Sequence, residues 1–318
     1  MLGAIIGDIV GSRWEFDPTN DYNFEWLSKE NGFTDDTICT VAVADALLHD
    51  QGFGESIHNW CNRYPNPMGG YGGRFAQWVH SDNPLPYNSF GNGSAMRVSP
   101  VGHWFENVDE MLDAAAATAL PSHNHDEGIK GAQTVALAIF KALSYHRYQE
   151  APMHIDEILK ECVEFSGYDI NMPKASVLNK FDETCQGTVP VALKIISMAT
   201  SFNDAVRLAV SLGADADTLG AIVGSIAEAI WGIPLCIRHD IEDYLPDDML
   251  YVVEAFYNAR PLSFKPLIDT TFYYKDFSEG AYALLDDKER EEIKLKVDAE
   301  KDEKRKLMAE RAKAREIW

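Results

Sequence analysis

Apolar residues along this chain recur with the period of an α-helix. Ala132, Val135, Ala136, Ile139, Phe140 and Leu143 stand at i, i+3, i+4, i+7, i+8 and i+11, the spacing of one buried helical face. Ala205, Leu208, Ala209 and Leu212 repeat it over a shorter span, and Val41, Ala44, Leu47 and Leu48 mark a third helix. Strict alternation is nearly absent, and Thr271–Tyr274 is the best, and short, strand candidate. Segments rich in Gly, Pro and Asn at 63–74 and 81–94 predict loops. No repeat or linker divides residues 1–270. The expectation is one all-α domain over 1–285 and a charged helical extension over 286–318. In the latter, Glu292/Lys296, Glu300/Lys304 and Asp302/Lys306 have the i, i+4 order that supports a solvated helix.

Two helical stretches carry glycines on one face: Gly3, Gly7 and Gly11 in the first, Gly220 and Gly224 in the second. A glycine inside a helix costs about 1 kcal/mol against alanine, so several of them need an offsetting gain. Close backbone approach between crossing helices supplies one. These two helices are expected near the centre of the domain, against each other.

Composition narrows the class. The chain has 318 residues, 46% hydrophobic and 25% charged, which excludes wholesale disorder and leaves enough length for a large core. The five cysteines (Cys39, Cys61, Cys162, Cys185, Cys236) are odd in number and far apart, with no C-x-x-C pair, so they read as free thiols in a reducing compartment. The opening MLGAIIGDIVGSRWEF has Asp8 inside its apolar run and no basic leader, unlike a secretory signal. The apolar stretch Leu219–Leu235 contains Glu228 and is too short to span a bilayer comfortably. A cytoplasmic protein is expected, without membrane contact. The net charge of -22 lies entirely ahead of residue 286, because the last segment carries 11 basic and 11 acidic residues. Such a body repels a phosphate backbone, which argues against nucleic-acid binding through a basic surface.

Acids cluster at helix starts. Phe33-Thr34-Asp35-Asp36-Thr37 precedes the Val41–Leu48 helix, Gly213-Ala214-Asp215-Ala216-Asp217-Thr218 precedes the second glycine-spaced helix, and Glu15 ends the first. One acid per helix start is explained by capping. Two at each start are not, since carboxylates about 4 Å apart repel by roughly 4 kcal/mol at an effective dielectric near 20. If the three groups converge, a cation is needed, and an all-oxygen shell without His or Cys selects Mg²⁺ or Mn²⁺ over zinc. Asn88-Ser89-Phe90-Gly91-Asn92-Gly93-Ser94-Ala95-Met96-Arg97 could present successive N–H groups to an anion, although a bare Gly-Asn-Gly is usually an ordinary turn. Ser122-His123-Asn124-His125 precedes the Ala132–Leu143 helix, where a single histidine is more often a cap or a satisfied surface group than a ligand contact.

In this order, GAIIGDIVGSRWEF, FTDDT, SFGNGSAMR, SHNH and GADADTLGAIVG resemble the ADP-ribosylglycohydrolase family over most of residues 1–235. The resemblance implies an all-α orthogonal helical bundle with a two-metal Mg²⁺ (or Mn²⁺) centre in a cleft. Thr34, Asp35, Asp36, Asp215, Asp217 and Thr218 match the metal ligands of that family. Glu15 matches a glutamate that reaches the metals, giving a catalytic set of Glu15, Asp36 and Asp217. Asn88, Ser89, Phe90, Gly91 and Asn92 match the loop that cradles the diphosphate and proximal ribose, and His123 matches a histidine that contacts ADP-ribose. Ser94 to Arg97 complete the motif and are expected to fix the loop. The implied activity is hydrolysis of the glycosidic bond between ADP-ribose and an acceptor, either a modified protein side chain, with arginine first, or a small ADP-ribose conjugate. The short segment between Glu15 and Thr34 leaves little room for a large lid. The rival reading is a non-catalytic ADP-ribose binder or structural relative on the same fold. A prenyl-diphosphate enzyme fits less well, since Asp35-Asp36 is followed by Thr37, Ile38, Cys39 and Thr40 rather than by a second Asp pair.

Overall fold

In the computed structural model, which describes residues 1–147 and 153–260 together with Lys306, Glu310 and Lys313, the chain is built from α-helices. They are α1 (Leu2–Gly11), α2 (Asp35–His49), α3 (Phe53–Arg63), α4 (Gly73–Val79), α5 (Gly93–Met96), α6 (Ser99–Trp104) and α7 (Val108–Ala119), followed by α8 (Asp126–Arg147) and α9 (Ile155–Ser166). The series ends with α10 (Cys185–Met198), α11 (Phe202–Val210), α12 (Ala216–Trp231), α13 (Leu235–Glu242) and α14 (Asp247–Ala259). Among the described residues, β pairing is limited to one isolated bridge between Gly91 and Thr184. The three periodic segments fall in α2, α8 and α11, with Leu212 just past the end of α11. The strand candidate Thr271–Tyr274 lies outside the described residues. So does the charged extension, apart from Lys306, Glu310 and Lys313, which are helical and exposed. Among the described residues, no helix is long and apolar enough to cross a membrane. The five cysteines are free thiols, as expected, with Cys236 the exposed one.

Helices α1 and α12 are buried on every face, so neither needs an amphipathic pattern. They run antiparallel with backbones touching. A Cβ at Gly3 would collide with the carbonyl of Gly224, one at Gly7 with that of Gly220, and one at Gly11 with that of Ala216. The expected crossing of the glycine faces is therefore found. Around this pair pack α2 and α11 on α1, and α8, α10 and α11 on α12, closing one apolar core.

The acid in the apolar stretch of α12 has its own partners. Glu228 accepts hydrogen bonds from the Met1 amine (2.7 Å), the Gly3 N–H (2.8 Å) and the Tyr257 hydroxyl. Burial alone would push its carboxyl up, but the neighbouring Met1 ammonium, His103 and these hydrogen bonds hold it at about 2.

The segment between Glu15 and α2 is hydrogen-bonded back to α1 and α11. The Asn31 amide donates to the carbonyls of Ile9 and Val10 at the end of α1, and Arg207 donates to the carbonyls of Tyr22 and Phe24.

The crossing predicts a sharp contrast between two alanine substitutions. Gly7→Ala is expected to lower folding stability by about 2–3 kcal/mol through backbone displacement. Gly52→Ala, where an added Cβ meets nothing within 4 Å, should stay within about 0.5 kcal/mol of wild type. Denaturant unfolding midpoints of the two variants measure the difference.

Candidate active site

The register of the central pair brings the end of α1 beside the start of α12. The chain leaves α1 through a short 3₁₀ turn, Ser12–Trp14, that ends at Glu15. The first residues of α12 carry Asp217 and Thr218, and Asp215 stands at its N-cap. One carboxylate oxygen from each of Glu15, Asp215 and Asp217 lies within 4.8 Å of the others.

Helix α2 joins the cluster through Asp8. This residue follows Gly7 and leaves α1 on a different face, toward the start of α2. Its buried carboxylate accepts from the Thr34 N–H (3.0 Å) and hydroxyl (2.8 Å), and from the Thr37 N–H (3.1 Å) and hydroxyl. Thr34 in turn caps α2 by accepting from the Asp36 N–H at 3.2 Å. Asp36 is buried, and its Oδ2 accepts from the Thr218 hydroxyl at 3.1 Å, which links α2 to α12. Asp35 lines the same cleft.

The cleft has a volume of about 330 Å³, toward the small end of the range typical of small-molecule sites. Its acidic wall holds Glu15, Asp35, Asp36, Glu183, Asp215 and Asp217. Gly69, with φ of +75°, brings its backbone against the Glu15 carboxylate where a side chain would collide. The remaining wall is rich in donors: Arg74, Arg97, His123 and the Ser89–Gly93 loop. Arg74 donates to the Tyr87 carbonyl and lies 4.8 Å above the Tyr87 ring.

The loop is held from outside by the chain ahead of α10. The Asn92 N–H donates to the Glu183 carbonyl, and the Phe90 carbonyl accepts from the Cys185 N–H. Asn88, in the left-handed region at φ 58°, takes its N–H to Asn124 Oδ1. The Asn92 side chain is buried and donates to Asp215 (2.7 Å) and Thr188 (3.1 Å), so it braces an acid. Asn88 and Phe90 stand outside the cleft lining, with Phe90 edge-on to His125. Of the two histidines of the SHNH turn, His125 caps α8 by accepting from the Glu127 N–H, and His123 reaches the cleft.

Burial, joined by mutual repulsion, pushes most of these acids up. Glu15 rises to about 8 through burial and then Asp217, Asp8 and Glu183. Asp215 rises to about 7 and Asp8 to about 6, both chiefly through burial. Asp35, Asp36 and Asp217 lie well above the carboxylate range through burial and neighbouring carboxylates. Asp36 Oδ1 and Asp217 Oδ1 are buried without a hydrogen-bond partner among the described residues. Buried, unpaired, all-oxygen anions fit a hard divalent cation.

The two threonines of the expected ligand set differ in their surroundings. The Thr34 hydroxyl is occupied by Asp8 and the Asp36 N–H, whereas Thr218 lines the cleft beside Asp35 and Asp36. Three contributors escape a reading of the sequence alone. Asp8 stands there only as a break in an apolar run, although an acid inside a fully apolar, glycine-spaced helix is itself a signal. Glu183 and Arg74 have no local signature.

A family model described as ADP-ribosylglycohydrolase matches residues 1–263. The chain is 25% identical to the ADP-ribosylhydrolase ARH3 of Homo sapiens, over 79% of this chain and 90% of that protein. It is 24% identical to the ADP-ribosylarginine hydrolase Tri1 of Pseudomonas putida (strain GB-1), over 73% of this chain and 70% of that one. It is 26% identical to the uncharacterized protein YegU of Escherichia coli (strain K12), over 73% and 86%. A solved structure titled ADP-ribosylglycohydrolase-related protein complex superposes with a TM-score of 0.60 at 24% identity, covering 81% of this chain and 95% of that one, which shows a shared fold.

The raised acids give stability a defined pH dependence in metal-free protein. The folded state keeps protons that the unfolded chain releases near pH 4, so stability falls as pH rises from about 4 toward about 8. The thermal midpoint of chelator-treated protein should drop across that interval and drop less in Asp217→Asn. Added Mg²⁺ should raise it more at the alkaline end. A flat profile that Mg²⁺ leaves unmoved would contradict a convergent acid cluster.

Proposed function

This chain belongs to the ADP-ribosylglycohydrolase family, and from that premise we propose that it is a divalent-metal-dependent hydrolase releasing ADP-ribose from an acceptor, foremost an ADP-ribosylated arginine side chain. The observation that carries this reading is the meeting of Glu15, Asp36, Asp215 and Asp217 in one cleft, with two buried carboxylate oxygens unpaired among the described residues. The preference for arginine rests on the acidic rim formed by Glu15, Asp35 and Glu183, which suits a guanidinium. It also rests on the similarity to the ADP-ribosylarginine hydrolase of Pseudomonas putida.

Asp35, Asp36, Asp215 and Asp217, with the Thr218 hydroxyl and the lone pair that Thr34 Oγ1 keeps beside its bonds to Asp8 and Asp36, would hold two Mg²⁺ or Mn²⁺ ions. Bound there, the ions supply Lewis acidity, orient the ribose hydroxyls and acidify water. Glu15 takes the proton of the attacking water on its carboxylate. The water oxygen bonds to the anomeric carbon of the distal ribose as the bond to the acceptor nitrogen breaks, and the acceptor nitrogen departs with the proton that Glu15 took from the water. Asp36 and Asp217 stabilise the positive charge that builds on the ribose in an oxocarbenium-like transition state. The Asn88–Asn92 loop and His123 anchor the diphosphate and proximal ribose, so that binding energy far from the reacting carbon orients it. Arg74 and Arg97 offset the acidic body for a dianionic ligand.

Incubation with Mg²⁺ and ADP-ribosyl-arginine, ADP-ribosyl-serine or O-acetyl-ADP-ribose tests this reading, with free ADP-ribose as the product measured. Release from the arginine conjugate is expected. It should cease on chelation and fall about a thousandfold or more in kcat in Asp217→Asn, with circular dichroism confirming the fold. Binding of ADP-ribose without turnover on any linkage would make the protein a binder instead.

A further inference from the structure

Arg97 is fully buried, and no carboxylate among the described residues pairs with it. Its Nη2 donates to the Thr118 carbonyl at 2.8 Å and to Ser122 Oγ at 2.9 Å. A guanidinium carries donors only, so Ser122 Oγ accepts in that contact. The same oxygen lies 2.8 Å from Nδ1 of His123. Ser122 is itself fully buried, and Nδ1 is the one acceptor its hydroxyl hydrogen reaches among the described residues. A buried hydroxyl hydrogen with no acceptor is rare and costly. Nδ1 therefore carries no proton, and the ring proton sits on Nε2.

Two further observations agree. Burial, and then the charge of Arg97, hold the His123 pKa well below its ordinary value, which keeps the ring neutral. Nε2 faces the glycine loop: a Cβ at Gly93 would stand 3.1 Å from it and one at Gly91 3.5 Å away. Glycine at both positions leaves that atom uncovered on the cleft side, and it makes no hydrogen bond among the described residues.

We propose that Arg97 and Ser122 are positioning residues that lock His123 as a neutral Nε2–H donor, directed at an acceptor oxygen of the bound ligand. The ring then serves as a fixed donor and takes no part in proton transfer. The identity of the ligand rests on the functional reading above; the tautomer does not.

The test uses protein labelled with ¹⁵N at histidine and a long-range proton–nitrogen correlation spectrum, with His123 assigned by its loss in His123→Gln. The expected spectrum has a pyrrole-type Nε2 and a pyridine-type Nδ1, unchanged between about pH 6 and 8. In Ser122→Ala both tautomers should appear, and free ADP-ribose, followed by calorimetry, should bind about tenfold more weakly, the worth of one hydrogen bond. Ser122→Thr should restore both readouts. A protonated Nδ1 in the wild type, or an unchanged tautomer in Ser122→Ala, overturns the proposal. If Ser122→Ala fails to fold, the wild-type spectrum decides alone. Failure of the wild type to bind ADP-ribose would instead count against the functional reading, since the tautomer is measured without ligand.

Discussion

Helices α1 and α12 cross with their backbones in contact, and that contact sets the register of the whole cleft. Gly3 lies against Gly224, Gly7 against Gly220 and Gly11 against Ala216. With each helix rising about 1.5 Å per residue, such matching leaves almost no freedom to slide. A slip of one turn, about 5.4 Å, would carry Glu15 away from Asp215 and Asp217. At the opposite end, Glu228 binds the first turn of α1 through the Gly3 N–H and adds a second lock on the same register. The glycines forgo helix propensity, and what they gain is a distance between carboxylates.

The neighbouring face of α1 performs a different task. Successive helical residues point about 100° apart, so Gly7 meets α12 while Asp8 meets the start of α2. Four donors from Thr34 and Thr37 converge on that one carboxylate. Asp8 thereby brings the α2 acids into the group that the glycine crossing assembled. Burial first, and for most of them the neighbouring negative charge second, push these carboxyls above their usual range. The amino ends of α2 and α12 ease the repulsion in part, since both direct positive helix dipoles at the cluster.

The donor-rich wall is coupled to the acidic one. Asn92 belongs to the glycine loop, yet its side chain grips Asp215. The loop in turn hangs on Glu183 and Cys185 at the start of α10. Movement of either wall would therefore disturb the other. The segment between Glu15 and α2, bonded back to α1 and α11, joins the acidic wall to the same frame.

Much of this was legible in residues near one another in sequence. Helical periodicity identified α2, α8 and α11, because burying one stripe of a helix requires that spacing. The glycine faces announced a close crossing, because glycine in a helix needs a compensating contact. Doubled acids at two helix starts exceeded what capping explains. Other features were out of reach. That the Thr34 hydroxyl donates to Asp8, that the Asn92 amide grips Asp215 and that Arg97 reaches Ser122 all depend on partners distant in the chain. Local pattern determined which segments are helical and which carry the chemistry, since those follow from backbone geometry and burial along a single element. Tertiary structure alone decided which polar atom meets which, since a hydrogen bond forms only within about 3 Å and that distance belongs to the packed whole.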